Sequence, residues 1–302
     1  MKNIVKYIFV TACILAAVSC SLFQLDNYEA PSETLRGEVI DVATGEPVLT
    51  DQGSEGIRVR LIETSWEGNV TPLDFYCRPD GTFQNTKLFE ADYNVRVDGP
   101  FLPIYLEDKD GIPVVNQTQD IHLEGEKFIT FEVSPFLKVE LDDMAMVSDG
   151  VITARVKVTR GVSKEDFKSV VMQSGDYKDS YFNVTDIQLF VSYSSSCGYR
   201  ARDDRWSNSI EYTGSAFESS LGKTITITSS AKNPIPSGRK VFIRAAARIN
   251  YDTPAGSGTR RWNYAIGNLC ITILLSCSSR IPTLRQASIT NCLDVWKCST
   301  TS

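Results

Sequence analysis

The sequence predicts an all-β protein made of two tandem β-sandwiches. Three observations carry this. Apolar and polar residues alternate with period two in short stretches from Leu35 to Asn250. Turn residues interrupt them at short intervals, most plainly at Thr44-Gly45-Glu46-Pro47 and Arg78-Pro79-Asp80-Gly81. No convincing helix pattern appears in the first region, and in the second only Ser163-Lys164-Glu165-Asp166 could cap a short helix, running to about Met172.

The first sandwich is expected over residues 35–133. Leu35 to Val42 is its first strand, and Ile57-Arg58-Val59-Arg60-Leu61-Ile62 alternates as a half-buried strand does. Leu73 to Cys77 is a short apolar piece, and the Pro-Asp-Gly turn then delivers the chain into Thr82-Phe83. Ala91 to Val97 puts Tyr93, Val95 and Val97 on one face, and Lys127 to Val133 closes the unit. About seven strands at such spacing read as a sandwich. Ser134-Pro135 marks the boundary.

The second sandwich is expected over residues 134–264. Phe136 to Leu141, Val151 to Val158, Thr185 to Tyr193, Lys223 to Thr228 and Lys240 to Asn250 are its strands. In the last of these, Val241, Ile243, Ala245, Ala247 and Ile249 face one way, and Arg244 and Arg248 the other. This reads as a fibronectin or immunoglobulin type of sandwich.

Ahead of both lies a targeting segment. Lys2 and Lys6 flank a charge-free apolar run from Tyr7 to Val18, and small residues lead to Cys20. Residues 1–19 have the shape of a secretory signal. A cysteine at the cut is what a bacterial lipoprotein signal needs, because its thiol takes the diacylglycerol. Cys20 is thus the expected lipidation site, with an ordinary signal peptide as the alternative. Residues 20–34 are polar and read as a tether, reaching roughly 45 Å if fully extended.

Composition narrows the chemistry. The net charge is −6 and no block of like charge reaches five residues, which argues against nucleic acid as a partner. There is 1 histidine, His122, in an alternating stretch that reads as a surface strand. A His-paired nucleophile or a His-rich zinc site therefore has little to build on. The 8 cysteines include no C-x-x-C pair, and Cys270, Cys277, Cys292 and Cys298 crowd the C-terminus rather than forming a distributed framework. No catalytic residues, metal or cofactor are expected.

The N-terminal unit carries a resemblance. Gly37-x-Val39-x-Asp41, Thr44-Gly45-Glu46-Pro47, Ile57-x-Val59-x-Leu61, Asp80-Gly81-Thr82-Phe83 and Asp92-Tyr93-Asn94-Val95 resemble the carboxypeptidase regulatory-like, transthyretin-type sandwich. Such modules lack catalytic residues. More widely, the run Cys20 to Pro31, Leu35-Arg36-Gly37, Gly81 to Phe89 and Gly99-Pro100-Phe101 resemble a family of two-domain lipoproteins of unknown function. These belong to Bacteroides-type bacteria and are typically encoded in polysaccharide-utilisation loci beside SusC-like transporters and SusD-like binding proteins. The resemblance implies a non-catalytic lipoprotein, lipid-anchored at the outer membrane and facing the cell surface. It would bind a polysaccharide or oligosaccharide, or else act as a scaffold or accessory subunit of a SusC/SusD-like transport complex.

Sugar-binding sites pair aromatic faces with hydrogen-bonding side chains. The best-fitting stretch is Tyr199-Arg200-Ala201-Arg202-Asp203-Asp204-Arg205-Trp206 with Tyr212. Its candidate glycan contacts are Tyr199, Arg202, Asp204, Trp206 and Tyr212, with Trp206 as a stacking platform or as a plug at the sandwich edge. A second cluster is Trp66, Phe75 and Tyr76. Trp262 is expected in a core. Glu107-Asp108-Lys109-Asp110-Gly111 has acid spacing that hints at calcium but reads better as a turn. Residues 265–302 break the pattern: the alternation stops near Tyr264, and only one acid, Asp294, remains. Two readings are open, a reading-frame shift and a lineage-specific tail with disulfides.

Overall fold

A computed structural model describes residues 30–65, 68, 70–142, 145–254, 259–266, 269–273 and 289–291. Cys20, Trp66 and residues 274–288 and 292–302 lie outside that set. The chain forms nineteen strands and one α-helix among the described residues.

The first nine strands are β1 (Glu33–Asp41), β2 (Arg58–Glu63), β3 (Leu73–Tyr76), β4 (Thr82–Leu88), β5 (Ala91–Asp98), β6 (Tyr105–Glu107), β7 (Pro113–Asn116), β8 (Gln119–Leu123) and β9 (Glu126–Val133). One sheet runs β4-β1-β9 and the other β3-β2-β5-β8, with β6 and β7 a separate hairpin. The inward residues of both sheets, among them Leu35, Val39, Leu61, Phe83, Val95, Leu123 and Phe131, form one apolar core. Gly37 is set by close approach: a Cβ there would lie 2.3 Å from both the Ile129 carbonyl oxygen and the Phe83 ring. β1 can therefore cross above Phe83 only where the side chain is missing.

The second set is β10 (Leu137–Leu141), β11 (Met146–Ser148), β12 (Val151–Arg160), α1 (Lys164–Val171), β13 (Val184–Ser192), β14 (Asn208–Glu211), β15 (Thr224–Thr228), β16 (Lys240–Ile249), β17 (Asn263–Tyr264), β18 (Leu269–Thr272) and β19 (Ile289–Asn291). In one sheet β12 pairs with β10 and β11 and with β15; the other runs β14-β13-β16-β18-β19 with β17 also on β16. Their facing residues make a second core that includes Ile152, Val156, Leu189, Val191, Ile243 and Ala245. The protein is thus all-β, two sandwiches in tandem, with the cores falling on either side of Ser134-Pro135.

The helix forms where its cap predicts. The Ser163 hydroxyl accepts from the Asp166 backbone N–H at 3.0 Å, and Glu165 and Asp166 occupy the positive first turn. Phe167 and Val171, four residues apart, are the buried face. Phe167 packs edge-on against Phe136 at 5.6 Å and so closes the second core near the junction.

One expectation needs correction. The break at Tyr264 is misplaced: Ala265, Leu269, Ile271 and Ile273 are buried in the second core, and β18 pairs antiparallel with β16 from Lys240↔Thr272 to Ile243↔Leu269. The alternation resumes from Leu269, so the second sandwich continues past Tyr264, at least through Ile273. The charged side of β16, on which the sequence places Arg244 and Arg248, turns toward the first sandwich at Arg244, which is 3% exposed.

That buried face joins the two sandwiches. A small third cluster comprises Phe190, Cys197, Ala246, Trp262 and Tyr264, with Leu49 of the first sandwich packed against it. Arg244 Nη1 donates to the Thr50 carbonyl at 3.0 Å. The Asp51 carboxylate accepts from the Tyr264 hydroxyl at 2.8 Å and from the Arg200 backbone N–H at 3.1 Å. Arg58 Nη2 pairs with Asp98 at 2.6 Å and reaches the Pro254 carbonyl at 3.3 Å. Asn263 Nδ2 donates to the Pro100 carbonyl at 2.8 Å. The boundary peptide is strapped too, with Leu102 N–H donating to Ser134 O at 2.9 Å and Phe136 N–H to Pro100 O at 3.0 Å.

Cys77, Cys197 and Cys270 are buried. Burial pushes the Cys197 thiol up to about 12, so it stays protonated and packs as a small apolar group. His122 lies on β8 with its ring half exposed and its Nδ1 2.8 Å from Asp92. The Asp108 carboxylate is used by the β6–β7 turn itself, accepting from the N–H groups of Asp110 and Ile112 at 2.9 Å each.

Candidate seam cleft

The loop from β13 to β14 runs across the seam and opens a cleft of about 330 Å³ lined by Glu55, Tyr199, Arg200, Arg202 and Asp204. That volume is at the lower end for small-ligand sites and admits a sugar ring. Glu55 comes from a short 3-10 turn, Gly53–Glu55, of the first sandwich. The other four come from the second. The sequence stretch around Tyr199 thus holds most of the cleft. It gives no sign of Glu55, which is distant in the chain and reaches the cleft only because the two sandwiches pack together.

The loop is fixed from below. Tyr199 N–H donates to the Tyr264 hydroxyl at 3.2 Å, and Asp203 N–H to the Val191 carbonyl at 2.7 Å. Gly198 packs closely there: a Cβ would sit 3.0 Å from Asp51 Oδ1, so that the carboxylate would have to shift. The Tyr199 ring lies nearly parallel to Trp262, at 28° with centroids 6.4 Å apart. The Arg248 guanidinium lies 4.3 Å from the Trp262 ring and pairs with Asp186 at 2.8 Å. Burial works against the Asp186 charge, but hydrogen bonds from Arg248 and Thr185 outweigh it and hold the carboxyl below its ordinary range.

Arg202 finishes the wall. Its guanidinium stacks over the Tyr199 ring at 4.0 Å, its Nε donates to Asp204 at 2.6 Å, and its Nη1 donates to the Tyr199 carbonyl. With Arg202 and Trp262 both on the Tyr199 ring, the cleft offers hydrogen-bonding edges more than a bare aromatic face. Glu55 is drawn toward Arg261, 3.8 Å away. Asp203, at the loop's outer side, is held below the usual carboxylate range by the hydrogen bond from Arg205.

Tyr199, Arg202 and Asp204 therefore come together at the cleft. The other candidates do not join them. Trp206 is a correction: it is 3% exposed and belongs to the second core, so it has no free face for a sugar. Tyr212 is half-buried and packs edge-on against Phe217 at 4.9 Å. Phe75 and Tyr76 are neighbours on β3 and so point to opposite faces. Phe75 turns inward, edge-on to Phe83 at 6.0 Å, while Tyr76 is 36% exposed. They form no shared surface, and Trp66 lies outside the described residues. Trp262 is buried, as expected.

Among the described residues, no group of three or more metal-ligating side chains converges. No protein-family model and no curated protein matches the chain. Solved structures do. A DUF3823 family protein from Bacteroides uniformis shares 59% identity, with 80% of this chain and 100% of that chain covered and a TM-score of 0.77. A second protein from that species, described as a candidate carbohydrate-binding protein, shares 20% identity over 80% of this chain and 100% of its own, at a TM-score of 0.56. A DUF3823 family protein from Parabacteroides merdae shares 14% identity over 79% and 100%, at 0.51. At those identities the last two show the fold alone; the first shows more, and the chain belongs to the DUF3823 family.

Proposed function

We propose that the protein is a non-catalytic glycan-binding lipoprotein and that the seam cleft is its binding site. The observation that carries this is the fixed set of Arg200, Arg202, Asp204 and Glu55 around one sugar-sized cleft. Guanidinium and carboxylate groups together match the mixed donors and acceptors of sugar hydroxyls. Their anchoring on Tyr199, Trp262 and Asp51 lowers the ordering cost of binding. The candidate carbohydrate-binding protein of related fold supports the same reading. Calorimetry against a panel of polysaccharides tests it. The wild type is expected to bind at least one, and Arg202→Ala to weaken that binding by about 1–3 kcal/mol, the scale of losing a well-placed anchor. If no glycan binds but the protein co-purifies with a SusC/SusD-like transporter, the scaffold reading replaces this one.

The same proposal places the protein at the outer membrane, held by a lipid on Cys20. The signal pattern of residues 1–20 supports that reading. A tethered binder need not be tight, because the anchor raises its effective concentration beside a transporter. Cys20→Ala is expected to abolish palmitate labelling and release the protein from the membrane fraction or leave it as an unprocessed precursor. Continued labelling and outer-membrane fractionation of the variant would sink the lipid reading. For residues beyond Ile273, the frame-shift and tail readings both stand, and resequencing separates them.

A further inference from the structure

We infer that the seam cleft selects glycans carrying an anionic substituent, a uronic acid carboxylate or a sulfate ester, and that Arg200 is the residue that recognises it. This rests on the glycan-binding reading above. The charges around the cleft are unequally matched. Arg202 is paired with Asp204 at 2.6 Å, Arg205 with Asp203 at 2.7 Å, and Glu55 with Arg261 at 3.8 Å. Arg200 differs. Its Nη1 donates to the neutral Ser54 hydroxyl at 2.9 Å, and among the described residues no carboxylate pairs with its guanidinium. The cleft's acids are thus already engaged, and one cation is left over.

Arg200 is also held in place. Its backbone N–H is tied to the buried Asp51, and its guanidinium carbon and Nη1 lie 3.8 Å from where a Cβ on Gly53 would be. The side chain therefore rests on the Gly53–Glu55 turn, with one nitrogen used by Ser54. The guanidinium fork keeps further N–H donors for a planar two-oxygen or tetrahedral anion, the geometry for which arginine is suited. Arg200 is exposed at the cleft, so with a neutral sugar its charge is left to solvent, whereas a charged substituent would complete the pairing.

The test uses the full chain and named polymers. Binding to polygalacturonate and to its carboxyl-reduced, neutral form is measured by calorimetry. The same is done for a carrageenan, a sulfated galactan without carboxylates, and its desulfated, neutral form, each at low and at physiological salt. The expected result is binding to at least one of the two polyanions. That binding should fall tenfold or more when the charged group is removed, and weaken with salt. Whichever pair shows the loss identifies carboxylate or sulfate. Arg200→Gln should lose tenfold or more for that polyanion and Arg200→Lys less, both with the wild-type unfolding midpoint, because the bond to Asp51 is made by the backbone. Equal binding to charged and neutral forms, or undiminished polyanion binding by Arg200→Gln, overturns the inference while leaving glycan binding intact. No binding to any glycan in the wider panel removes the underlying reading first.

Discussion

Replacing Trp206 with alanine is expected to cost about 3–5 kcal/mol of stability, the range for truncating a large buried aromatic, and to act on glycan binding only through unfolding. The indole is 3% exposed. Tyr193 meets it edge-on at 4.9 Å, and Arg205 lies 4.9 Å from its ring. The backbone of Trp206 is fixed as well, its N–H donating to Asp203 O at 3.2 Å and its carbonyl accepting from Ser230 N–H at 2.8 Å. It thus sits where the edge strands of the two sheets, β14 and β15, approach each other, and Asn208 Nδ2 ties them by donating to Thr228 O at 3.0 Å. The side chain fills the opening between the sheets. Alanine would leave a cavity that the paired strands cannot close. Denaturant unfolding and sugar calorimetry on the same variant decide the matter. A nearly unchanged midpoint with a large loss of affinity would put Trp206 back in a binding site.

Trp206 also shows where sequence reasoning reaches its limit. The strands of both sandwiches could be read because alternation records which residues face a core, and Tyr93, Val156, Leu189 and Ile243 all face one. The helix could be read because its cap is local. What alternation does not say is what covers the opposite face. Arg244 and Arg248 on β16 look like solvent-facing residues in any single strand. Arg244 is covered because Leu49, Thr50 and Asp51 dock on that face, and Arg248 lies against Trp262 and Asp186; nothing near them in the chain announces it. The same blindness hid Glu55 from the candidate site. An aromatic in a polar loop, as Trp206 is, suits a sugar platform and a core plug equally, and only packing separates the two. The segment after Tyr264 was misread for a different reason: Ile266 is exposed and breaks the period before β18 restores it.

Asp51→Ala is the second change with a large expected effect, and it acts on the seam rather than on either core. Asp51 is 1% exposed. Its carboxylate takes hydrogen bonds from the Tyr264 hydroxyl at 2.8 Å, the Arg200 backbone N–H at 3.1 Å and the Gln52 N–H at 2.7 Å. It also supplies negative charge near Arg244, whose buried guanidinium lies 4.1 Å from the Tyr264 ring. Burial lowers the Arg244 pKa; Tyr264, Cys197 and Asp51 oppose that shift. Alanine would leave buried donors without an acceptor, at about 1–3 kcal/mol for each unsatisfied group, and the buried Arg244 cation with less compensation. These losses share partners and do not simply add, so about 3–5 kcal/mol in total is expected. Asp51→Asn keeps the shape and one acceptor oxygen, and should cost about 1–3 kcal/mol. Because the two cores are separate and meet through this polar patch, calorimetry of the alanine variant should show the wild-type transition splitting into two. The cleft, which spans the seam, should lose its ligand in parallel. A single transition at the wild-type midpoint would show that the sandwiches do not depend on Asp51 for their coupling.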